Sequence, residues 1–317
     1  LIIKPAVIHA SSGRRGYETA LVGLALKRKT GLPFVYEVRS FFEANWTGEN
    51  ERESTGEIYE KRMAVELLCM QEADRVLTIG EAMRDDLVQR GIPAEKIDII
   101  PNGVDTGIFQ PQVRDEQLSA SLGLSGVPTF GYVSNMDHYR ESQETLVRAA
   151  AELRDRGSDL HCLLIGDGPR RELLEALAEE LGVTDRVHFL GRVQHEQIPA
   201  YYSLIDLFVV PRVPERAATF VTPLKPFEAM ATGRPVIVSD LPALREIVDE
   251  PHRGLSFRPG DAVALADVLE RLQRDPEEAR RLAEAGMAWV RAERHWGANG
   301  QRYQEAFAKV ARQGVTR

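Results

Sequence analysis

The sequence predicts an α/β protein made of two doubly wound parallel-sheet domains with a cleft between them. Short apolar runs alternate with segments of helical periodicity through most of the 317 residues, a pattern typical of parallel sheets covered by helices. A chain of this length has a prior of about two domains of ~150 residues each. The turn-rich segment from Pro101 to Pro111 separates two such series and is the expected start of a linker. We expect domains over residues 1–110 and 111–295, followed by a C-terminal helix over residues 296–317.

The first series begins with one βαβ unit. Ala6–Ala10 and Phe34–Val38 are short β-rich runs, and the helical pattern Tyr17–Lys29 between them is closed by Gly31 and Pro33. Strands joined by a helix in this way indicate a parallel sheet. The alternation continues with a helix, a strand, a helix and a strand at Ser54–Gln71, Arg75–Ile79, Glu81–Arg90 and Ile97–Ile100.

The second series predicts six strands with helices in every gap. The strand runs are Thr129–Val133, Cys162–Ile165, Val187–Phe189, Leu207–Val210, Val236–Val238 and Gly254–Phe257. Ligands of a doubly wound sheet bind beyond the carboxyl ends of its strands. Three helices without strands are predicted at the end of the chain, at Asp261–Arg274, Pro276–Arg291 and about Gly300–Arg312. In that region one apolar stripe is predicted from Trp296, Tyr303, Phe307 and Val310.

The charge and the cysteine content argue against several classes of protein. A net charge of −8 repels phosphate polymers, so no nucleic-acid partner is expected and any phosphate site must be a local group of cations and amides. Cys69 and Cys162 are the only cysteines, too few for a disulfide framework or a zinc cluster. No apolar run approaches the ~18 residues of a membrane span. We expect a cytoplasmic protein without a transmembrane segment, and a peripheral association with a membrane is left open.

A strand, a loop, a helix and a strand are predicted from Leu207 to Asp240. Thr222 supplies an N-cap oxygen, Pro223 occupies the first helical position, Leu224 begins an apolar face and Gly233 ends the helix. The free amides and the dipole at such a helix N-terminus favour an anion, most commonly a phosphate. We therefore expect this helix start to lie at an anion site.

A second candidate loop is Gly166, Asp167 and Gly168, which follows a predicted strand and opens a predicted helix. Glycines allow the backbone to approach a ligand closely, as in nucleotide-binding loops. The alternative is a tight strand-to-helix turn with Asp167 as its cap.

Three segments together resemble glycosyltransferase family 4, whose members have the GT-B fold. They are GDGPRRELLEALAEELGVTDRVHFLGRV, IPAYYSLIDLFVVP and PLKPFEAMATGRPVIVSD, and the match runs from about Ala6 to the end of the chain. The resemblance implies two Rossmann-like domains and a retaining transfer of a sugar from a nucleotide diphosphate sugar to a hydroxyl acceptor, with no cofactor and no metal. It also implies a C-terminal helix that crosses back onto the first domain. The family's opening strands and glycine-rich loop have no counterpart, so the first domain is expected to be incomplete.

The resemblance assigns roles to several residues. The loop at Gly166 lies beside the nucleotide, the backbone at Val193 holds the nucleobase and Arg192 stacks on it, although a surface arginine in a loop is the alternative. Glu228 is the expected ribose ligand, because a carboxylate accepts two hydroxyl hydrogen bonds well; a favourable charge near a helix N-terminus is the alternative. The family pairs this glutamate with another eight positions earlier, where this chain has Phe220, and this departure leaves the sugar specificity open.

Two cations are candidates for neutralising the departing diphosphate. The family places an arginine and a lysine after the first strand of the donor domain, and the corresponding loop, Ser134–Arg140, has only Arg140. Lys225 opposes the dipole of the predicted helix and precedes Glu228 by three positions, the poorer order for an ion pair. We therefore predict Lys225 and Arg140 as the catalytic pair, with solvated side chains as the alternative.

Acceptor-side candidates follow the first two strands. His9, Ser11 and Arg14 lead from the first strand into a helix, and Arg39 follows the second strand. Related enzymes place a histidine that touches the donor sugar after that second strand, and this chain has none there. A purely structural histidine is the alternative for His9.

Two rival functions remain open from the sequence. A non-hydrolysing nucleotide-sugar epimerase shares the fold, and a nucleotide-sugar-binding module without activity is consistent with Phe220 and the incomplete first domain. A dinucleotide oxidoreductase is weaker, because no glycine-rich fingerprint follows a strand with an acidic residue about twenty positions later. The nucleobase, the sugar, the acceptor and the oligomeric state are not predicted.

Overall fold

A computed structural model describes residues 5–12, 16–45 and 56–314. It divides into two compact units. Unit 1 comprises Leu1–Asn102, Thr219–Thr222 and Trp296–Arg317, and unit 2 comprises Gly103–Ala218 and Pro223–His295. The short segment Thr219–Thr222 thus belongs to unit 1, although the chain on both sides of it belongs to unit 2.

Unit 1 contains a parallel sheet with the strand order β1-β2-β3-β4. Its elements are β1 Ile8–Ser11, α1 Glu18–Thr30, β2 Phe34–Val38, α2 Phe42–Asn45, α3 Glu57–Glu72, β3 Arg75–Thr78, α4 Glu81–Gln89 and β4 Ile97–Ile99. Every residue of β2 is buried, as expected for a central parallel strand covered on both faces.

The C-terminal helix Trp296–Gly314 packs on the sheet of unit 1. The core there joins Val35, Leu77 and Ile100 to the helix residues, with Ala306 and Val310 buried and Tyr303 and Phe307 partly buried. The predicted stripe is therefore present, except at Trp296, which is 44% exposed. Trp296 is the first residue of the helix and lies outside the part that packs on the sheet.

Unit 2 contains a six-stranded parallel sheet with the order β10-β9-β8-β5-β6-β7. Its strands are β5 Thr129–Val133, β6 His161–Ile165, β7 Val187–Gly191, β8 Leu207–Val210, β9 Val236–Ser239 and β10 Leu255–Phe257. Its helices are α5 Glu116–Ser121, α6 Gln143–Asp155, α7 Arg171–Glu180, α8 Ile198–Tyr202, α10 Lys225–Ala231, α11 Pro242–Val248, α12 Ala262–Arg274 and α13 Pro276–Glu293, while α9 Arg216–Phe220 begins in unit 2 and ends in the unit 1 segment Thr219–Thr222. The chain builds outward from β5 to β7 and then returns to β8 on the other side of β5. This reversal makes a topological switch point, where ligands of such sheets bind.

The helix predicted to begin at Pro223 begins two residues later. The first helical residue is Lys225, Leu224 is the residue before it, and no side chain caps this end. Thr222 lies two positions before the N-cap residue Leu224, and its carbonyl and hydroxyl oxygens accept hydrogen bonds from Asn102 Nδ2 at 2.8 and 3.3 Å. The helix has only seven residues, so the dipole argument that placed an anion at its N-terminus loses its force.

The predicted loop between β8 and this helix also contains a short helix, α9. The Glu215 carboxylate accepts hydrogen bonds from the amides of Ala217 and Ala218 at 3.0 and 3.4 Å and so caps its start. Phe220, which replaces the family glutamate, ends α9 and packs edge-on against Phe41 with the ring centroids 6.3 Å apart.

Candidate functional site

A cleft of about 840 Å³ opens in unit 2 beyond the carboxyl ends of β5, β6 and β7. The loop after each of these strands supplies part of the wall, and one residue comes from α10. The lining residues are Val133, Ser134, Asn135, Asp137, Ile165, Gly166, Asp167, Gly168, Pro169, Arg192, Val193, Gln194, His195, Ile198 and Lys225. The cleft lies beyond the carboxyl ends of the strands, as expected for a doubly wound sheet, and extends from β5 toward β7 and not across the switch point between β5 and β8.

Glycines let the loops of this cleft come together. Gly166 has φ 139°, and a Cβ atom there would lie 1.9 Å from the Ser134 carbonyl oxygen. A Cβ atom at Gly168 would lie 2.6 Å from the backbone of Met136. The Gly166 amide also donates to the Gly191 carbonyl at 2.9 Å. Because any larger residue would push these backbones apart, both glycines are required by the packing of the cleft wall.

Asp167 has a structural contact as well as a place in the wall. Its carboxylate accepts a hydrogen bond from the Gly168 amide at 2.9 Å, and half of its side-chain surface remains exposed. The predicted cap is not formed, because the N-cap residue of α7 is Arg170 and no side chain caps that helix.

The loop after β5 is held from below by Gln143. This side chain is fully buried, and its Nε2 donates to Ser134 Oγ at 3.1 Å and to the Asn135 carbonyl at 3.2 Å. Ser134, Asn135 and Asp137 were not predicted as site residues, although their position directly after a strand was a usable signal. Gln194, His195 and Ile198, which follow β7, were not predicted either.

The two predicted cations lie in different surroundings. Lys225 lines the cleft, and its Nζ atom lies 3.1 Å from Glu228 Oε2. Arg140 does not line the cleft; its Nη1 lies 3.6 Å from Glu215 Oε2 and its Nε lies 3.9 Å from Glu141 Oε1. In this structure the two side chains are therefore not brought together at the cleft.

Glu141 forms a buried charge cluster at the switch point between β5 and β8. Arg212 Nη2 lies 2.8 Å from Glu141 Oε1, and Tyr132 donates its hydroxyl to Glu141 Oε2 at 2.6 Å. Burial would raise the pKa of Glu141, but the charge of Arg212 and these hydrogen bonds lower it below its usual value. The cluster therefore gives this end of the sheet a fixed, ionised framework beside Arg140.

Glu228 lies behind Lys225, outside the residues that line the cleft. Its Oε2 accepts hydrogen bonds from the Tyr202 hydroxyl at 2.8 Å and from Lys225 Nζ at 3.1 Å. Thr222, Pro223 and Leu224 are also absent from the lining. Of the predicted donor-binding residues, the structure brings together Gly166, Asp167, Gly168, Arg192 and Val193 with Lys225.

Two of the acceptor-side candidates, His9 and Arg39, contact Glu37 in unit 1. His9 Nε2 lies 3.1 Å from Glu37 Oε2, and Arg39 Nη1 and the Tyr303 hydroxyl donate to Glu37 Oε1 at 2.9 and 2.6 Å. Burial would raise the pKa of Glu37, but the hydrogen bonds from His9, Tyr303 and Arg39 lower it to about 2. His9 and Arg39 thus have structural contacts.

Ser11 and Arg14 are the other two acceptor-side candidates. The Ser11 carbonyl accepts a hydrogen bond from Thr19 Oγ1 at 2.9 Å, which is a contact of the backbone and not of the serine hydroxyl. Arg14 lies outside the residues that the structure describes.

Among the described residues, no group of three or more histidine, cysteine, aspartate or glutamate side chains is arranged to hold a metal ion. No helix in the described part of the chain combines the length and the apolar character that a membrane crossing needs.

Two family models match the chain. Residues 2–107 match Glycosyltransferase Family 4, and residues 127–275 match Glycosyl transferases group 1. A curated relative, 2-deoxystreptamine glucosyltransferase from Streptomyces kanamyceticus, is 31% identical over 72% of this chain and 58% of its own length. GDP-mannose-dependent alpha-(1-6)-phosphatidylinositol monomannoside mannosyltransferase from Mycobacterium tuberculosis is 32% identical over 64% of this chain and 54% of its own length. The chain thus spans little more than half the length of these relatives.

Solved structures support the same fold. Sucrose-phosphate synthase from Thermosynechococcus elongatus superposes with a TM-score of 0.78 at 29% identity, over 96% of this chain and 74% of that one. HepE from Anabaena, in complex with UDP and glucose, superposes with a TM-score of 0.80 at 20% identity, over 96% of this chain and 78% of that one. The two family models show that the chain belongs to glycosyltransferase family 4, and the two parallel sheets with these structural matches show that it has the GT-B fold.

Proposed function

We propose that this protein is a retaining glycosyltransferase that moves a sugar from a nucleotide diphosphate sugar to a hydroxyl acceptor. The observation that carries this proposal is the cleft at the carboxyl ends of β5 to β7, with Lys225 in its wall and Glu228 directly behind it. The curated relatives are named as a glucosyltransferase and as a GDP-mannose-dependent mannosyltransferase, and the HepE structure holds UDP and glucose. All three names fit a nucleotide-sugar donor.

The cleft offers a distinct environment for each part of such a donor. The backbone at Gly166 and Gly168 lines the cleft, and we assign the nucleotide to it, with the nucleobase at Val193 and Arg192 over it. Lys225 supplies a positive charge for the diphosphate. Glu228 accepts hydrogen bonds from the ribose, for which its Oε1 is available. Arg140 would have to leave Glu141 and Glu215 to join Lys225 at the diphosphate.

The chemistry needs stabilisation of the leaving group more than it needs a strong nucleophile. As the glycosidic bond breaks, negative charge grows on the diphosphate, and a cation placed there in advance lowers the barrier. Lys225 meets this requirement, because its ion pair with Glu228 is partly exposed and can be exchanged for a contact with the donor. In this mechanism the leaving phosphate itself takes the proton from the acceptor hydroxyl, and the sugar retains its configuration.

The first experiment is a thermal-shift panel of nucleoside diphosphates and their sugars. A nucleotide at about 100 times its Kd should stabilise the protein by ~2.7 kcal/mol. The nucleotide that gives the largest shift identifies the donor series, and Glu228→Ala should reduce that shift while the protein stays folded. The matched control is Glu196→Ala, an exposed glutamate after β7 that is outside the cleft lining.

Product analysis then separates the three candidate functions. Incubation of the matching nucleotide sugar with a panel of hydroxyl acceptors should give a glycoside with the donor's anomeric configuration. Epimerised donor formed without any acceptor would favour the epimerase, and binding without any product would favour the inactive binding module. Unchanged nucleotide affinity in a folded Glu228→Ala variant would remove the ribose assignment.

A further inference from the structure

We infer that Tyr202 is a positioning residue for the ribose of the donor and that it acts through Glu228. Tyr202 ends α8 and does not line the cleft, but its hydroxyl donates to Glu228 Oε2 at 2.8 Å. The inference rests on the proposed function, in which Glu228 accepts hydrogen bonds from the ribose. It adds a residue that never touches the donor and still decides how the donor is recognised.

The ring of Tyr202 is fixed by its neighbours. The side chain is fully buried, its ring is stacked on Phe208 of β8 with the centroids 5.3 Å apart, and it meets Phe109 edge-on at 5.9 Å. A ring packed on two sides by aromatic side chains has little freedom to turn. The direction of the hydroxyl toward Glu228 is therefore set by the core of unit 2.

The Tyr202 hydroxyl can act only as a donor toward the carboxylate. Burial, with the nearby carboxylate of Glu228 as a second cause, raises the pKa of Tyr202 well above its usual value. The group therefore keeps its proton at neutral pH, and a carboxylate without a proton can only accept. A buried, charge-assisted hydrogen bond of this kind is among the stronger ones in proteins.

The two oxygens of Glu228 have different surroundings. Oε2 accepts from both Tyr202 and Lys225. Oε1 accepts no hydrogen bond from the residues that the structure describes, and it is not buried. Because the core-fixed hydroxyl of Tyr202 and Lys225 both contact Oε2, Oε1 retains the capacity to accept a hydrogen bond from a ribose hydroxyl.

Tyr202 also makes it easier for Lys225 to leave Glu228. Lys225 is 34% exposed on its side chain and lines the cleft, so it can turn toward a diphosphate. Without the Tyr202 hydroxyl, Lys225 would be the only donor to Glu228 among the described residues. Its movement toward the diphosphate would then leave the Glu228 carboxylate without a hydrogen bond. With Tyr202 in place, the carboxylate keeps one partner when Lys225 contacts the donor.

The chain contains a matched control in the adjacent residue. Tyr201 is only partly buried against the same core, and its hydroxyl makes no hydrogen bond with the described residues. Replacing Tyr201 or Tyr202 with phenylalanine is the same chemical change, the loss of one hydroxyl, in two adjacent residues. Only the change at Tyr202 should alter ribose recognition.

The test compares the affinities of UDP and GDP with those of their 2′-deoxy and 3′-deoxy analogues, by calorimetry, in four proteins. These are the wild type, Tyr202→Phe, Tyr201→Phe and Glu228→Gln. The wild type should prefer the ribonucleotide over at least one deoxy analogue by about tenfold or more, as expected for hydrogen bonds to a charged group. Tyr202→Phe should lower this ratio at least about threefold, because it should weaken the binding of the ribonucleotide and not that of the deoxy analogue. Tyr201→Phe should leave the ratio unchanged.

Each of the other outcomes overturns a defined part of the argument. If Glu228→Gln abolishes the ratio and Tyr202→Phe does not change it, the inference fails and the ribose assignment of Glu228 stands. If Tyr202→Phe weakens the binding of the ribonucleotides and of all deoxy analogues equally, the role of Tyr202 is only structural and the inference fails. If the wild type shows no preference, or Glu228→Gln keeps it, the ribose assignment itself fails.

A loss of stability does not obscure the result. Both members of each nucleotide pair bind the same folded fraction, so the ratio of their affinities is independent of that fraction. Tyr202→Met, which fills the site without a hydroxyl, serves as a second variant and should give the same reduced ratio as Tyr202→Phe. An undiminished ratio in the folded Met variant would overturn the inference.

Discussion

Glu37 in unit 1 and Glu228 in unit 2 are both buried carboxylates, yet their surroundings differ. Glu37 is 3% exposed and accepts contacts on both oxygens, from His9 on Oε2 and from Arg39 and Tyr303 on Oε1. Glu228 is 9% exposed and accepts hydrogen bonds only on Oε2 among the described residues. Burial alone does not distinguish the two, but the free oxygen does.

This difference separates a structural carboxylate from one that can bind a ligand. A carboxylate with both oxygens occupied stabilises the fold, because breaking any of its contacts leaves a buried group unpaired. A carboxylate with one oxygen that accepts no hydrogen bond within the protein can still accept one from a ligand. The basic residues that contact these two carboxylates differ in the same way. Arg39 donates hydrogen bonds to Glu37 and Asn102, whereas Lys225 lines a cleft.

The largest expected effect follows from removing the cation at the cleft. Lys225→Met should lower the rate of sugar transfer at saturating donor by about 10²–10³-fold, as for other groups that stabilise charge in the transition state. The affinity for the bare nucleoside should change little, because that part of the donor carries no diphosphate. Steady-state rates and calorimetry of the nucleoside measure the two effects.

Arg39→Met is the matched change in unit 1. It should lower stability and leave the affinity of unit 2 for a nucleoside diphosphate unchanged, because Arg39 contacts Glu37 and Asn102. Equal transfer rates for the wild type and Lys225→Met would contradict the role of Lys225.

The second effect concerns stability and pH. The pKa of Glu37 is lowered from 4.5 to about 2 in the folded protein, so its contribution to stability is present above pH 4.5 and is lost as the pH falls toward 2. Glu37→Gln should therefore cost up to about 3 kcal/mol at pH 7 and much less near pH 2. Urea denaturation at several pH values measures this difference. A variant as stable as the wild type at pH 7 would show that Glu37 has no such role.

The smallest effect involves two stacked histidines at the start of β6 and β7. His161 Nδ1 and His188 Nε2 are 2.9 Å apart, with the ring planes at 12°. Burial lowers the pKa of both rings; the charge of Arg186 lowers the pKa of His161 further, and His161 lowers the pKa of His188 further. Since the unfolded chain then binds protons more readily, stability should fall as the pH drops below ~6.5.

His188→Gln should reduce this pH dependence between about pH 7.5 and 5.5 without affecting nucleotide binding. The exposed His252 provides a control, because His252→Gln should leave the dependence unchanged. The same slope in the wild type and in His188→Gln would contradict the prediction.

The order of the elements was predictable because the sequence of a buried parallel strand is a nearly continuous run of apolar residues. All ten predicted strands are present in the structure, with their ends shifted by no more than two residues. Glycine and proline marked the turns between them for local conformational reasons. The start of α10 differs from the prediction: the Thr222 hydroxyl that was expected to cap the helix instead accepts a hydrogen bond from Asn102, 120 positions away in sequence.

The sequence by itself also determined much of the site: the glycines at 166 and 168, Arg192, and the spacing of Lys225 and Glu228 are local patterns. Only the tertiary structure decided the partners of these groups. It placed Tyr202 under Glu228, Gln143 under the loop after β5, and Arg140 between two glutamates. The direction of a side chain depends on distances between residues far apart in the chain, and neither periodicity nor motif spacing contains those distances.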